Sequence, residues 1–173
     1  MPTCFVIQPF DADKFDRRFE EVYSPAIQAA GLEPYRVDRD VAVDIPIDSI
    51  ESGIRGAAIC LADITTDNPN VWYELGFAFA SGRAVVMVCS DERTGKKYPF
   101  DIQHRTVIEY KAQSPSDFAS LQAKITNRIK ASSHARRCTA RNSGIGTSCA
   151  SSRTDTTGTC CFSLSSWERC FTG

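Results

Sequence analysis

Apolar runs of strand length alternate with amphipathic stretches of helix length over the first 130 residues of the chain. The short apolar runs predict five strands, at 3–8, 33–37, 57–62, 84–89 and 105–110. The longer stretches carry apolar residues at helical spacing and predict helices at 13–30, 47–56, 70–81 and 116–130. We expect Pro25 to bend or interrupt the first helix, and glycines to end the first three helices, at Gly31, Gly56 and Gly82.

This alternation favours an α/β fold in which a parallel sheet carries helices on both faces. Five strand–helix units in about 130 residues suit a flavodoxin-like, doubly wound, five-stranded parallel sheet. Analogy with that fold gives the expected strand order 2-1-3-4-5. Such a sheet binds its ligand at the carboxyl ends of the strands, near the point where the strand order reverses. This rule selects the loops that follow the strands, at 8–13, 38–48, 63–70 and 90–103.

Composition divides the chain into two parts near residue 130. Residues 1–130 have a net charge of −4, whereas residues 131–173 have a net charge of +3, 16 Ser and Thr residues and almost no aliphatic side chain. The second part cannot supply a core, so we expect one domain over 1–130 and a disordered Ser/Thr/Cys-rich tail over 131–173. Five of the eight cysteines lie in the tail, but no C-x-x-C pair occurs there. This pattern disfavours structural zinc, and we expect no bound metal.

The properties of the whole chain exclude several kinds of partner. A formal net charge of −1 provides no electrostatic attraction to nucleic acid. No apolar run reaches the roughly 18 to 20 residues that span a bilayer. The first residues lack the basic region, apolar stretch and cleavage site of a secretion signal. We therefore expect a cytoplasmic protein that binds neither nucleic acid nor membranes.

Motifs of several common enzyme classes are absent. The first strand is not followed by G-x-G-x-x-G, and neither G-x-x-x-x-G-K-[ST] nor G-x-S-x-G occurs anywhere. Their absence disfavours dehydrogenases, P-loop NTPases and serine hydrolases. The two histidines, His104 and His134, offer little material for a His-based metal centre or catalytic triad.

The most informative segment runs from Asp63 to Gly76 and reads DITTDNPNVWYELG. Asn68 can cap a helix whose first position is Pro69, so that the helix begins at the ligand-binding edge. Glu74 then lies near the second turn among apolar residues, and the helix has no other charged side chain. Because burial of an unpaired carboxylate is costly, Glu74 is a candidate catalytic residue. The alternative is a glutamate that pairs with an arginine at the helix surface.

A carboxylate beside Asp63, Asp67 and Asn68 suits the cleavage of a glycosidic bond. The transition state resembles an oxocarbenium ion, which a nearby anion stabilises or traps covalently. A leaving group such as a nucleobase or nicotinamide needs little more than this. We therefore expect no cofactor and no metal, with NAD as a candidate substrate.

The neighbouring candidates also have structural interpretations. Asp63 can form an Asx-turn at the end of its strand. Asp11 and Asp13 can cap the first helix, for which Asp13 is favoured. Phe10 can pack as a hydrophobic staple or stack on a base. The charges after the second strand are interpreted as solvated, with phosphate binding as the alternative for the arginine: Asp40, Asp44 and Arg39.

Three segments occur in order over about residues 3–130: CFVIQPF at 4–10, ADITTDNPNVWYELG at 62–76 and PFDIQHRTVIEY at 99–110. Together they resemble the bacterial TIR-like group that is related to nucleoside 2-deoxyribosyltransferases. The resemblance implies a flavodoxin-like fold. It also places the catalytic glutamate of the family's ELG motif at Glu74.

The resemblance further implies the surroundings of this glutamate. Asp63, Asp67 and Asn68 help to hold the ribose and the leaving base, and Asp63 is the second catalytic candidate. The substrate-binding candidates are Pro9, Phe10, Asp11, Asp67, Asn68 and Asn70. Because TIR-like domains often act as assemblies, the resemblance also implies a homo-oligomer.

Three functions remain open at this point. The first is cleavage of the N-glycosidic bond in NAD or a related nucleotide, as in an NAD nucleosidase, with Glu74 as nucleophile or electrostatic stabiliser. The second is transfer of a deoxyribosyl group between bases through the same glutamate. The third is a signalling module that binds a nucleotide or nucleoside without chemistry.

Overall fold

The computed structural model describes residues 1–11, 13–37, 46–95, 98–99 and 101–142. Within these residues, five parallel strands form one sheet in the order β2-β1-β3-β4-β5. Their bounds are β1 Thr3–Ile7, β2 Glu33–Tyr35, β3 Ile59–Asp63, β4 Val85–Ser90 and β5 Val107–Tyr110. The predicted doubly wound parallel sheet and its strand order are therefore confirmed.

Helices flank the sheet where the sequence predicts them. They are α1 Lys14–Arg18, a π-helical segment Phe19–Tyr23, α2 Ser24–Ala29, α3 Pro46–Gly56, α4 Pro69–Ala80 and α5 Pro115–Asn142. α5 continues beyond its predicted end at residue 130, because alanines and arginines at 131–142 favour a helix despite the serines among them. The remainder of the predicted disordered tail, 143–173, lies outside the described residues, as does the loop with Arg39, Asp40 and Asp44.

The interruption expected at Pro25 takes the form of a wider helical turn immediately before it. Proline has no N–H to donate, and its ring crowds the carbonyl four residues earlier. The π-helical segment relieves this crowding, and the Ser24 N–H donates to the Phe19 carbonyl, five residues back. Gly31 and Gly82 follow α2 and α4 with φ of 81° and 66°, as expected for glycines that end helices.

Alternating side chains divide the core into two layers. Cys4, Val6 and Leu61 face the layer beneath the α1–α2 stretch and α5. Phe5 and Ile7 face the layer beneath α3 and α4. Both faces of the sheet are thus covered, which explains why the strands read as continuous apolar runs. The carboxyl ends of all five strands remain at one edge, where the candidate site lies.

The close approach of α3 to β1 gives a test of this packing. A Cβ added at Gly53 would lie 2.6 Å from Phe5 Cε2 and 3.2 Å from Tyr35 Cε1. The Phe5 ring is buried and packs against Tyr35, so it has little room to move. We expect Gly53→Ala to lower the free energy of unfolding by about 1 to 3 kcal/mol, measured by urea denaturation.

Gly56→Ala is the matched control, since no described atom lies within 4 Å of the Cβ it would add at the end of the same helix. We expect its urea midpoint to equal or exceed that of the parent chain. Equal effects of the two substitutions would contradict the close packing of α3 on β1.

Candidate functional site

α4 begins at the ligand-binding edge because Asn68 caps it. The Asn68 Oδ1 accepts hydrogen bonds from the Asn70 N–H at 2.9 Å and the Val71 N–H at 3.5 Å. Pro69 occupies the first helical position, where its missing N–H costs nothing. The predicted start of this helix is therefore confirmed, and the Asn68 side chain is engaged by the backbone.

Glu74 lies on the buried side of α4, on the stripe that includes Val71, Leu75 and Ala78. It is 6% exposed. Among the described residues, no side chain or backbone group forms a hydrogen bond or ion pair with its carboxylate. Burial raises the pKa of Glu74 to about 7, because the charged form loses hydration without gaining a partner. The surface ion pair that the sequence left open as an alternative is absent from this part of the structure.

Asp63 is the last residue of β3 and is 1% exposed. Its carboxylate accepts hydrogen bonds from the Tyr23 hydroxyl at 2.6 Å, the Thr65 N–H at 2.9 Å and the Thr65 hydroxyl at 2.5 Å. Burial raises the pKa of Asp63, while the bonds from Thr65 and Tyr23 act in the opposite direction. The bond to the N–H two residues on is the Asx-turn that the sequence offered as an alternative.

The side chains of Asp63 and Glu74 lie in different layers. Asp63 bonds to Tyr23, which belongs to the layer beneath α5. Glu74 lies on α4, which covers the opposite face of the sheet. The sequence placed the two carboxylates side by side because they are close along the chain. The alternation of side chains in β3 instead sends Asp63 to the face that α4 does not cover.

The aspartate that caps the first helix is Asp11 and not Asp13. The Asp11 Oδ1 accepts hydrogen bonds from the Asp13 N–H at 3.1 Å and the Phe15 N–H at 3.0 Å. Asp13 makes no capping bond with its side chain and forms an ion pair with Arg17 at 3.0 Å. Asp13 therefore occupies the predicted N-cap position, but the capping hydrogen bonds expected of it are made by Asp11. Asp11 remains a substrate-binding candidate, with one carboxylate oxygen already engaged by the backbone.

Pro9 and Phe10 follow β1 at the same edge. Pro9 is buried, whereas Phe10 is 51% exposed. The guanidinium of Arg36 lies 5.3 Å from the centre of the Phe10 ring and 5.0 Å from that of Phe19. These contacts are cation–π contacts. The Phe10 ring thus has a partner in Arg36, which is neither of the two partners that the sequence suggested.

Sequence reasoning missed Arg93, which connects the loop after β4 to the loop before α4. Arg93 donates to the Ile64 carbonyl at 2.7 Å and to Asp67 at 2.5 Å. Its guanidinium also lies 5.8 Å from the Trp72 ring centre and 5.6 Å from that of Tyr98. Asp67 is thus held by an ion pair at the surface. Asn70, the remaining candidate, is exposed in the first turn of α4.

Arg18 was missed as well, because nothing in the sequence distinguishes it from a surface arginine. It is 5% exposed and donates to Glu92, which also pairs with Lys14 at 3.3 Å. Its guanidinium lies over the rings of Phe15 and Tyr110. The charged run Asp91-Glu92-Arg93 after a buried strand was the available signal. Its last two members, Glu92 and Arg93, fasten the β4–β5 loop to α1 and to the loop before α4.

An open cleft of about 670 Å³ lies at the carboxyl ends of β4 and β5 and beside α5. Its lining includes Ser90, Arg93, Tyr98, Glu109, Lys111 and Lys124. The volume is in the range of small-molecule sites. Neither Glu74 nor Asp63 lines it. The cleft lies at the carboxyl edge that the sequence selected for ligand binding, but the candidate carboxylates lie apart from it.

Two further observations concern the described ranges only. No group of three His, Cys, Asp or Glu side chains is arranged there to hold a metal ion. None of the helices in that part of the chain combines the length and apolar character needed to cross a bilayer.

Comparison with known proteins shows similarity at the level of the fold. No family model and no curated protein matches the chain. The diflavin flavoprotein A3 from Nostoc sp. is similar, with a TM-score of 0.52 and 11% identity over 81% of this chain and 99% of that one. A flavodoxin-like domain from Synechococcus sp. gives a TM-score of 0.48 and 12% identity over 74% and 96%. The CMP N-glycosidase BcmB from Clostridium botulinum gives 0.49 and 14% over 69% and 98%. The strand order and the flavoprotein match together identify the fold as flavodoxin-like.

The raised pKa of Glu74 predicts a pH-dependent stability. Between its ordinary pKa of 4.5 and the folded-state pKa of about 7, the folded chain keeps a proton that the unfolded chain loses. Rising pH in this interval therefore destabilises the fold. Glu74→Gln removes the titrating group, so its stability advantage over the parent should grow by roughly 2 to 4 kcal/mol from pH 4.5 to pH 8.

Urea denaturation of both chains at the two pH values measures this difference. Glu33→Gln is the control, because Glu33 is exposed and begins β2, at the amino ends of the strands and away from Glu74. We expect its stability difference from the parent to be the same at both pH values. A constant difference for Glu74→Gln as well would show that burial does not raise the pKa of Glu74.

Proposed function

We propose that this chain cleaves the N-glycosidic bond of NAD or a related nucleotide, with Glu74 as the catalytic carboxylate. The observation that carries the proposal is the burial of this carboxylate without a partner among the described residues. A fold seldom keeps an unpaired buried charge unless the group has a use. The position of α4 at the carboxyl edge and the resemblance around the ELG motif support the same assignment.

The location of α4 fits the ligand-binding rule for this fold. α4 follows β3 and packs against β1 as well as β3. In the order β2-β1-β3-β4-β5, the strand order reverses between β1 and β3. Crevices at such reversals are where doubly wound sheets bind ligands. A substrate at this point would lie against the loops that carry Phe10 and Asn68.

The chemistry requires an anion where positive charge develops. In NAD, the bond between the ribose C1′ and the nicotinamide nitrogen breaks, its electron pair leaves with the nitrogen, and neutral nicotinamide departs. C1′ then has oxocarbenium character, which the ionised Glu74 stabilises or traps as an ester. Water supplies the hydroxyl group at C1′, and one proton is released. The apolar surroundings strengthen the attraction between carboxylate and cation.

Asp63 enters this proposal as a positioning residue. Its hydrogen bonds to the Thr65 N–H and hydroxyl hold the beginning of the β3–α4 loop. Thr65 in turn accepts a bond from the Ser90 N–H at 2.9 Å, which ties this loop to the end of β4. Asp67 and Arg93 continue the connection at the surface. We infer that this network sets the position from which α4 presents Glu74.

Glu74→Gln tests the proposed role directly. The full chain is incubated with NAD, NADP and a panel of nucleosides and deoxynucleosides, and the released base is measured by chromatography. We expect base release by the parent chain and a loss of about 100-fold or more in Glu74→Gln, because the amide carries no charge to stabilise the cation. Glu33→Gln, at the amino ends of the strands and away from Glu74, should retain parental turnover.

The same panel separates the other functions. Unchanged turnover in Glu74→Gln would contradict the role of the glutamate. Exchange of one base for another in a two-base mixture would favour deoxyribosyl transfer. Tight binding of a nucleotide with no released base would favour the module that binds without chemistry.

The pKa of Glu74 also predicts the pH profile of the reaction. The carboxylate must be ionised to stabilise the cation, and its pKa in the free chain is about 7. We expect kcat/KM for NAD to fall about tenfold per pH unit below pH 7 and to level off above it. A profile that is flat between pH 5 and pH 8 would contradict this role for Glu74.

A further inference from the structure

The outer surface of α4 is unusual for a helix at the surface of a domain. Glu74 is the only charged residue among its twelve, and it faces inward. The outward positions are Tyr73, Gly76, Phe77 and Ala80, which together we call the α4 face. Tyr73 is 48% exposed. A solvent-facing helix surface normally carries charged side chains, and the α4 face carries none.

Gly76 is the second anomaly. It occupies the middle of the helix, where glycine is among the poorest helix formers. No atom of the described residues lies within 4 Å of the Cβ that another residue would have there. Within that part of the chain, nothing excludes a larger residue. A close neighbour outside the described residues, such as a second copy of the chain, would explain the glycine.

The α4 face contains both halves of a complementary contact. The rings of Tyr73 and Phe77 stack with their centres 6.4 Å apart and form a ridge. Gly76 and Ala80, one turn apart, leave a shallow groove beside that ridge. A surface that carries both a ridge and a matching groove can pack against a copy of itself, as a two-fold contact requires. We propose that the α4 face packs against the α4 face of a second copy of this chain, about a two-fold axis perpendicular to the helix.

The charges beside the α4 face fit this arrangement. On α3, Glu51 and Arg55 form an ion pair at 3.2 Å, and the Arg55 side chain is 62% exposed. The Arg55 guanidinium lies 4.8 Å from the centre of the Phe77 ring, and the Tyr73 hydroxyl donates to Glu51 at 2.7 Å. An axis perpendicular to α4 places the two α3 helices side by side and antiparallel. Arg55 of one protomer then faces Glu51 of its partner.

Such an interface has a familiar composition. Its centre holds aromatic and small side chains without charge, and its rim holds a charged pair on each protomer. Protein interfaces are depleted of charge at the centre and enriched there in aromatic residues. The contact is independent of the proposed reaction, because Glu74 points away from it.

Analytical ultracentrifugation of the full chain in reducing buffer tests the proposal, since reduction prevents cross-linking through the eight cysteines. We expect the mass to rise with concentration from 19.1 kDa towards twice that value. Ala80→Glu places a charge within the α4 face, where the contact would bury it, and should weaken the dimer at least ~10-fold. Ala123→Glu makes the same change at an exposed alanine of α5 and should leave the dimer unchanged.

Gly76→Ala separates an effect on dimerisation from an effect on the stability of the monomer. The alanine should raise the urea midpoint of the monomer, because it is the better helix former, while it weakens the dimer by adding a methyl group to the groove. A parent chain that remains at 19.1 kDa at every concentration would overturn the proposal. A dimer that is unaffected by both Ala80→Glu and Gly76→Ala would overturn it too, because the copies would then meet through another face.

Discussion

The architecture depends on one geometric constraint, which is that a parallel strand covered on both faces sends successive side chains into opposite layers. In β3 this alternation places Leu61 and Asp63 in the layer beneath α5, and Cys60 and Ala62 in the layer beneath α4. The same constraint decides which polar groups can meet. It joins Asp63 to Tyr23 and Thr65, and it leaves Glu74 alone on the other side of the sheet.

Burial disfavours the ionised form of Glu74, and this observation is the one on which the proposed function rests. Its burial opposes ionisation, and no described neighbour offsets the loss of hydration. The surrounding structure tolerates it because α4 is otherwise well anchored. Asn68 caps the helix, and Leu75 and Ala78 pack into the core. The favourable packing and capping of α4 thus offset the unfavourable burial of one carboxylate.

α4 therefore combines two unusual surfaces on one helix. Its inner side carries an unpaired carboxylate, and its outer side carries aromatic and small residues without charge. Much of this could be predicted from the segment PNVWYELGFAFA, since the cap, the helix and the lone glutamate are all local features. The interactions of Arg18 and Arg93 could not be predicted in this way, because each depends on groups many residues distant, Glu92 for the one and Asp67 for the other.

The sequence by itself determined the alternation of strands and helices, the start of α4, and the absence of any other charged side chain from that helix. These follow from apolar periodicity, from proline, asparagine and glycine at helix ends, and from composition, all of which act over short stretches of chain. Only the tertiary structure decided that Asp63 faces away from Glu74, that Asp11 replaces Asp13 as the cap, and that the open cleft lies beside β5. Each of these depends on the direction of a side chain or the meeting of distant loops. Neither is specified until the sheet is assembled and both of its faces are covered.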